Sequence, residues 1–235
     1  MDKTDKSTLR YRHKAGTVWA AGAGGFALFA MSVFFDHASV SAAPIRPAPV
    51  IRALTEKPIY IAVGDYARPP MGWVQFCSEH AEDCRGGPTA PRDVRLTAPS
   101  WTHLVEINDY VNETIKPATD LDVYGKVEYW TYPGERGDCE DYVLLKRKLL
   151  LDAGWPREAL LITVVRDQRD EGHAVLTVRT DHGEFILDNQ VADILPWHET
   201  GYRFVKRQSQ SDPNRWVALG DNRPQTPVTS SDHRP

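Results

Sequence analysis

The sequence predicts an α+β domain in which helices come first and an antiparallel sheet follows. Two observations carry this. From about Trp101 to Lys116 and again from about Cys139 to Ala153, apolar residues recur at intervals of three and four, the period of a helix with one buried face. After Leu160 the period shortens to β-rich runs separated by turn residues, the pattern of neighbouring antiparallel strands. Gly154 followed by Pro156 marks the change, since a glycine just past a helix and a proline soon after it stop the helix firmly.

In chain order, Ile59 to Val63 reads as a short strand or extended edge, and Arg68 to Trp73 as a proline-rich turn. Val74 to Cys84 carries a cysteine-bounded loop, and Gly86-Gly87-Pro88 breaks the chain again. Ser100 is placed to cap a helix from about Trp101 to Lys116, with Leu104, Ile107, Val111 and Ile115 on one face and Pro117 ending it. Glu128 to Gly134 is aromatic and turn-rich. A second helix is predicted from about Cys139 to Ala153, with Tyr142, Leu145 and Leu149 among its apolar positions. Leu160 to Val165, Ala174 to Val178 and Glu184 to Leu187 read as strands, the last two joined by a turn at Asp181-His182-Gly183. Tyr202 to Val205 and Trp216 to Ala218 add two more.

The ends belong outside this domain. Lys3, Lys6, Arg10, Arg12 and Lys14 form a basic lead, and Ala15 to Phe35 carries no charge. Small residues from Ser39 to Ala43 follow, so residues 1–42 read as an export signal cleaved after Ala42 or Ala43, or as a retained N-terminal anchor. Residues 43–58 are a proline-rich linker, 59–219 the folded domain, and 220–235 a polar tail expected to be disordered. Either fate of the leader puts the body outside the cytoplasm, in the periplasm or secreted. The 235 residues carry a formal net charge of −4 with no basic block in the body, which argues against nucleic acid as a partner.

An exported chain with three cysteines leaves one over. Cys77 and Cys84 close a short loop suited to a disulfide, and Cys139 is then a lone thiol. It lies in Gly137-Asp138-Cys139-Glu140-Asp141-Tyr142, after a turn and at the opening of a helix. A helix N-terminus offers free N–H groups and a partial positive charge, which favour a thiolate and can hold an oxyanion. The competing reading is a buried structural cysteine with its acids serving the helix dipole. His173, in Gly172-His173-Ala174 ahead of an apolar strand, tips the reading toward a Cys–His pair. Asp188, ending the strand Ile186-Leu187, is the candidate to orient the imidazole. A tight hairpin at His182-Gly183 pairs His173 with about residue 191 or 192 and leaves Asp188 three or four residues short, so a bulge, wider turn or strong twist is needed. Asp138, Glu140 and Asp141 crowd the thiol with negative charge, which weakens a nucleophile unless a cation is present; clustered carboxylates suit Ca2+.

At these residues the chain resembles the bacterial transglutaminase-like cysteine peptidases. The resemblance runs from about Pro69 to Ala218 through Gly72 to Cys77, Tyr129-Trp130, Gly137 to Tyr142 with Lys146, Leu149-Leu150, Gly154-Trp155-Pro156, Gly172 to Leu176 and Leu187 to Asn189. It implies a papain/transglutaminase-like core, a Cys139–His173–Asp188 triad and peptide-bond hydrolysis through a thioester. Related periplasmic members cut large surface adhesins near their N-termini, need calcium held in part by acids matching Asp138, Glu140 and Asp141, and are kept inactive by an inner-membrane receptor for cyclic di-GMP. Transglutaminase-type acyl transfer, cell-wall peptide hydrolysis, and a non-catalytic binding module with Trp73, Trp130, Trp155 and Trp197 lining a groove are the alternatives weighed. Core packing is the favoured place for those tryptophans.

Overall fold

In the computed structural model, which describes residues 57–220, a seven-stranded antiparallel sheet carries the helices on one face. The strands are β1 (Ala62–Ala67), β4 (Leu160–Arg166), β5 (Gly172–Thr180), β6 (Gly183–Leu187), β7 (Leu195–Pro196), β8 (Arg203–Gln208) and β9 (Trp216–Gly220). Their order across the sheet is β1-β9-β8-β4-β5-β6-β7. Two short strands, β2 (Lys116–Pro117) and β3 (Arg136–Gly137), pair in parallel beside it. The helices are α1 (Met71–Glu79), α2 (Ala98–Thr114), α3 (Asp120–Tyr124) and α4 (Cys139–Asp152). Among the described residues no helix is long and apolar enough to cross a membrane. The leader, most of the proline-rich run and the tail beyond Gly220 lie outside the described residues.

The apolar period explains the layers. Alternate residues of β5 divide between two clusters: Ala174, Leu176 and Val178 join the helices, with Leu104, Leu144, Leu150 and Trp216. Val175 goes with Ile61, Val165, Ile186, Trp197 and Phe204 on the other side. The four tryptophans considered as a groove lining pack instead in or against these cores; Trp73, Trp130 and Trp197 are buried and Trp155 is half-buried.

Several boundaries differ from the sequence expectation. Helix α2 starts earlier, capped by Thr97 in a capping box: Thr97 Oγ1 accepts from the Ser100 amide, and the Thr97 amide donates to Ser100 Oγ at 2.8 Å. It ends at Thr114, because Ile115 is extended and the residue before Pro117 is barred from the helical region. Met71–Glu79, read as a turn and loop, is helical, with Trp73 and Phe76 buried on one face. Gly72 lets α1 lie against the Trp130 ring, since a β-carbon there would sit 2.2 Å from that ring. Cys77 and Cys84 form a disulfide that ties the end of α1 to the next loop, as expected.

Candidate active site

Helix α4 packs across β5, and its N-terminus brings Cys139 to the start of that strand. Cys139 is the first helical residue, after Asp138 in extended backbone. Gly137 precedes them because nothing larger fits: a β-carbon would lie 2.6 Å from Asp141 Oδ2 and 2.8 Å from Asp141 Cβ. The amide of Ala174, the residue after His173, hydrogen-bonds the Cys139 sulfur, so thiol and histidine backbone meet at the same point.

His173 is buried at the start of β5. Its Nε2 lies 2.8 Å from Asp188 Oδ1. The hairpin pairs Thr180 with Gly183 and stops at Leu176 with Leu187. The chain then leaves the sheet, and Asp188 turns back toward His173 instead of continuing the ladder. The turn lies at Asp181-His182, one residue earlier than the sequence reading put it, so the register sets His173 across from Gln190 and leaves Asp188 only two residues away on the same side, with no bulge in the pair. Asp188 is fixed by further donors: the Gln190 amide on Oδ1 at 3.0 Å and the Tyr202 hydroxyl on Oδ2 at 2.5 Å. From α2, Asn112 Nδ2 holds the Asp188 carbonyl and Asn108 Nδ2 the Ala192 carbonyl, pinning the loop in place. Burial alone would raise the Asp188 carboxyl; the His173 hydrogen bond and charge, with Tyr202 and Gln190, hold it below the ordinary range instead. An ionised carboxylate only accepts, so Nε2 carries the hydrogen, and in the neutral imidazole Nδ1 holds the lone pair. Gln190 Nε2 approaches that lone pair at 3.4 Å.

The thiol itself is held in a non-nucleophilic form. Cys139 Sγ donates to Glu140 Oε2 at 2.9 Å. Burial, then the charge and hydrogen bond of Glu140, push the thiol pKa well up.

Acids converge beside it. Single oxygens of Asp120, Asp138 and Glu140 lie within 4.8 Å of one another. Burial first, and mutual repulsion second, raise Asp138 to about 6 and Glu140 to about 8, and Asp120 rises through burial. Asp120 Oδ1 and Asp138 Oδ1 are buried with no hydrogen-bond partner. Asp141 is not among these three: its Oδ1 accepts from the Thr131 amide at 3.1 Å, anchoring the aromatic loop, and its Oδ2 is buried with no hydrogen-bond partner. Burial lifts its carboxyl to about 8. Asp120, from α3, was absent from the sequence reading because nothing local links it to Cys139; its only signal was a capping threonine, Thr119, ahead of acids. Tyr202 and Gln190 were likewise unforeseen.

A cysteine at a helix start, set against a histidine–carboxylate pair on an antiparallel sheet, defines a papain/transglutaminase-like cysteine hydrolase. The model of the bacterial transglutaminase-like cysteine proteinase family, BTLCP, matches residues 63–224, and the chain belongs to that family of cysteine peptidases. Similar solved structures are of LapG from Legionella pneumophila. The calcium-bound form is 24% identical, with TM-score 0.44, covering 55% of this chain and 74% of that one. A second LapG structure is 26% identical, with TM-score 0.45, covering 52% and 71%. An EGTA-treated form is 25% identical, with TM-score 0.44, covering 53% and 73%. No curated protein matched the chain.

Proposed function

We propose that this cysteine peptidase is exported and hydrolyses peptide bonds in a large surface protein, with Cys139 as nucleophile, His173 as base and Asp188 as orienting acid. The observation that carries the assignment is the buried His173–Asp188 pair at the start of the strand whose next residue, Ala174, hydrogen-bonds the Cys139 sulfur. Nδ1 takes the thiol proton as Sγ attacks the scissile carbonyl, and the N-terminus of α4 stabilises the oxyanion that forms. The imidazolium then protonates the leaving amine. Water, deprotonated by the same nitrogen, cleaves the thioester and releases the acid product.

Asp120, Asp138 and Glu140 suit a calcium ion: buried carboxylates with unsatisfied oxygens and raised pKa values are what a hard divalent cation relieves. Asp120, Asp138 and Glu140 would hold such an ion, and it would supply positive charge beside Cys139. The chain's own part is then simple. Glu140 holds the Cys139 proton while it is free to accept, and ceases to do so when its oxygens are engaged elsewhere.

Export is supported by the basic lead with its uncharged run, with cleavage after Ala42 or Ala43, and by the Cys77–Cys84 disulfide, which needs an oxidising compartment. An adhesin as substrate and an inner-membrane receptor as regulator follow from the family resemblance. The test is cleavage of candidate surface proteins from the same cell by wild type and by Cys139→Ala. The proposal expects a new N-terminus only with wild type and with calcium, and no amine incorporated when a primary amine is added. Equal cleavage by Cys139→Ala would overturn it.

A further inference from the structure

Away from the thiol, α4 contributes a second charged group to a different place. Arg147 lies eight residues, just over two turns, beyond Cys139 on α4, about 12 Å along the axis and about 80° round it by helical geometry. It is 3% exposed. Its Nε donates to the Leu160 carbonyl at 3.1 Å, and its Nη2 is buried with no hydrogen-bond partner. The guanidinium sits 6.0 Å from the centre of the Trp73 ring. Among the described residues no carboxylate pairs with it. The other deeply buried arginine, Arg207, is treated differently: its Nη1 meets Glu184 at 2.8 Å.

Arg147 lines a cleft of about 180 Å3 together with the exposed Arg85. Arg157, Gln208 and Ser209 line it too, and Glu158 is the acid present. Three arginines and one acid line the cleft, Arg85 has Glu82 at 3.7 Å outside the lining, and Arg157 repels Arg147. Arg157 itself spends Nη1 on the Asp83 carbonyl at 2.5 Å, not on a carboxylate. Asp83 and Tyr132 favour the Arg147 charge from a distance, but a buried guanidinium with no ion-pair partner and an unbonded Nη2 is best satisfied by an anion that reaches it. Planar, bidentate guanidinium groups match oxyanions above other partners.

We propose that this cleft is an oxyanion-binding site, taking a phosphate or carboxylate on Arg147 and Arg157, separate from the thiol and its acids. The same chemistry is offered by a free inorganic anion or by an acidic side chain of a protein bound to the peptidase.

The test is a titration of the purified, exported protein at constant ionic strength in EGTA. One arm uses inorganic phosphate followed by 31P NMR. The other uses an acetylated, amidated Asp/Glu peptide against its Asn/Gln counterpart, followed by calorimetry. Saturable one-to-one binding in either arm, weakened at least tenfold in Arg157→Gln and in the exposed Arg85→Gln, supports the site. Phosphate alone binding identifies a free anion, and the acidic peptide binding more tightly identifies a protein ligand. Arg147→Gln is added with circular dichroism to verify its fold, and Arg157→Lys shows whether the fork geometry is required. No saturable binding in either arm, or binding indifferent to Arg157→Gln in folded protein, would mean hydrated arginines only and would overturn the proposal. Cys139 alkylation in calcium is expected to be unchanged in Arg85→Gln, so failure here and failure of the peptidase mechanism are separable.

Discussion

Replacing Asp188 by Asn probes the orientation of the base. The carboxylate is 3% exposed and serves donors on both oxygens: His173 Nε2 and the Gln190 amide on Oδ1, the Tyr202 hydroxyl on Oδ2. An amide has one acceptor oxygen, so one side of this arrangement must change. If the oxygen stays toward His173, Tyr202 turns to accept from the amide and the tautomer survives. Only the charge is lost; the difference between a charged and a neutral hydrogen bond is about 1 kcal/mol, or roughly fivefold in rate. If the NH2 faces Nε2, the imidazole hydrogen moves to Nδ1, which can no longer accept from Cys139. Reversal of this kind costs about 10^4-fold in a serine triad. The expected loss in kcat therefore lies between roughly fivefold and 10^4-fold, with KM little changed. The assay is steady-state cleavage of the identified substrate, with circular dichroism to confirm the fold. A folded Asp188→Asn enzyme within twofold of wild type would refute the role given to this carboxylate.

Further expectations concern single contacts and pH. Tyr202→Phe removes one donor from Asp188 but keeps the tautomer, so about tenfold slower turnover is expected in the same assay, much less than the amide reversal. Gly137→Ala must displace Asp141 from the Thr131 amide; overpacking of about 1–3 kcal/mol lowers the thermal midpoint by several degrees, read by calorimetry. In EGTA, Asp138 and Glu140 titrate at about 6 and about 8, above their unfolded values, so the folded state binds more protons and stability falls as pH rises from about 4 to 8. Calcium is expected to raise the midpoint more at pH 8 than at pH 5; an equal rise at both would contradict the acid cluster as its site. Lys146, buried against Asn108 with its pKa lowered by burial to about 7, is charged in the unfolded chain up to about 10. Stability then rises with pH between those values, and the stabilisation gained in Lys146→Met shrinks over the same interval in paired melts.

The parts of this fold that could be read from sequence are those set by local rules. Cys139 to Asp152 shows its helix through leucine spacing and the Gly154–Pro156 stop, and β4 to β6 show theirs through β-rich runs around a tight turn. Cys139, His173 and Asp188 were visible for the same reason, each sitting at the end of a recognisable element. What was not visible depends on contacts between elements. Asp120 joins Asp138 and Glu140 only because α3 folds close to the start of α4, while Asp141 turns one oxygen to the Thr131 amide. Tyr202 fits a strand pattern equally well with or without Asp188 behind its hydroxyl. Helix α1 was missed because Pro69-Pro70 reads as a turn, although a proline just before a helix is also a start signal.

The most direct measurement is the rate at which an iodoacetamide probe labels Cys139, mapped by mass spectrometry, in calcium and in EGTA, for wild type and His173→Ala. The mechanism predicts fast labelling of Cys139 in calcium, slow labelling in EGTA while Glu140 holds the thiol proton, and slow labelling of His173→Ala in both. Labelling that is equally slow in every condition, or fast without His173, would contradict a Cys139–His173 nucleophile.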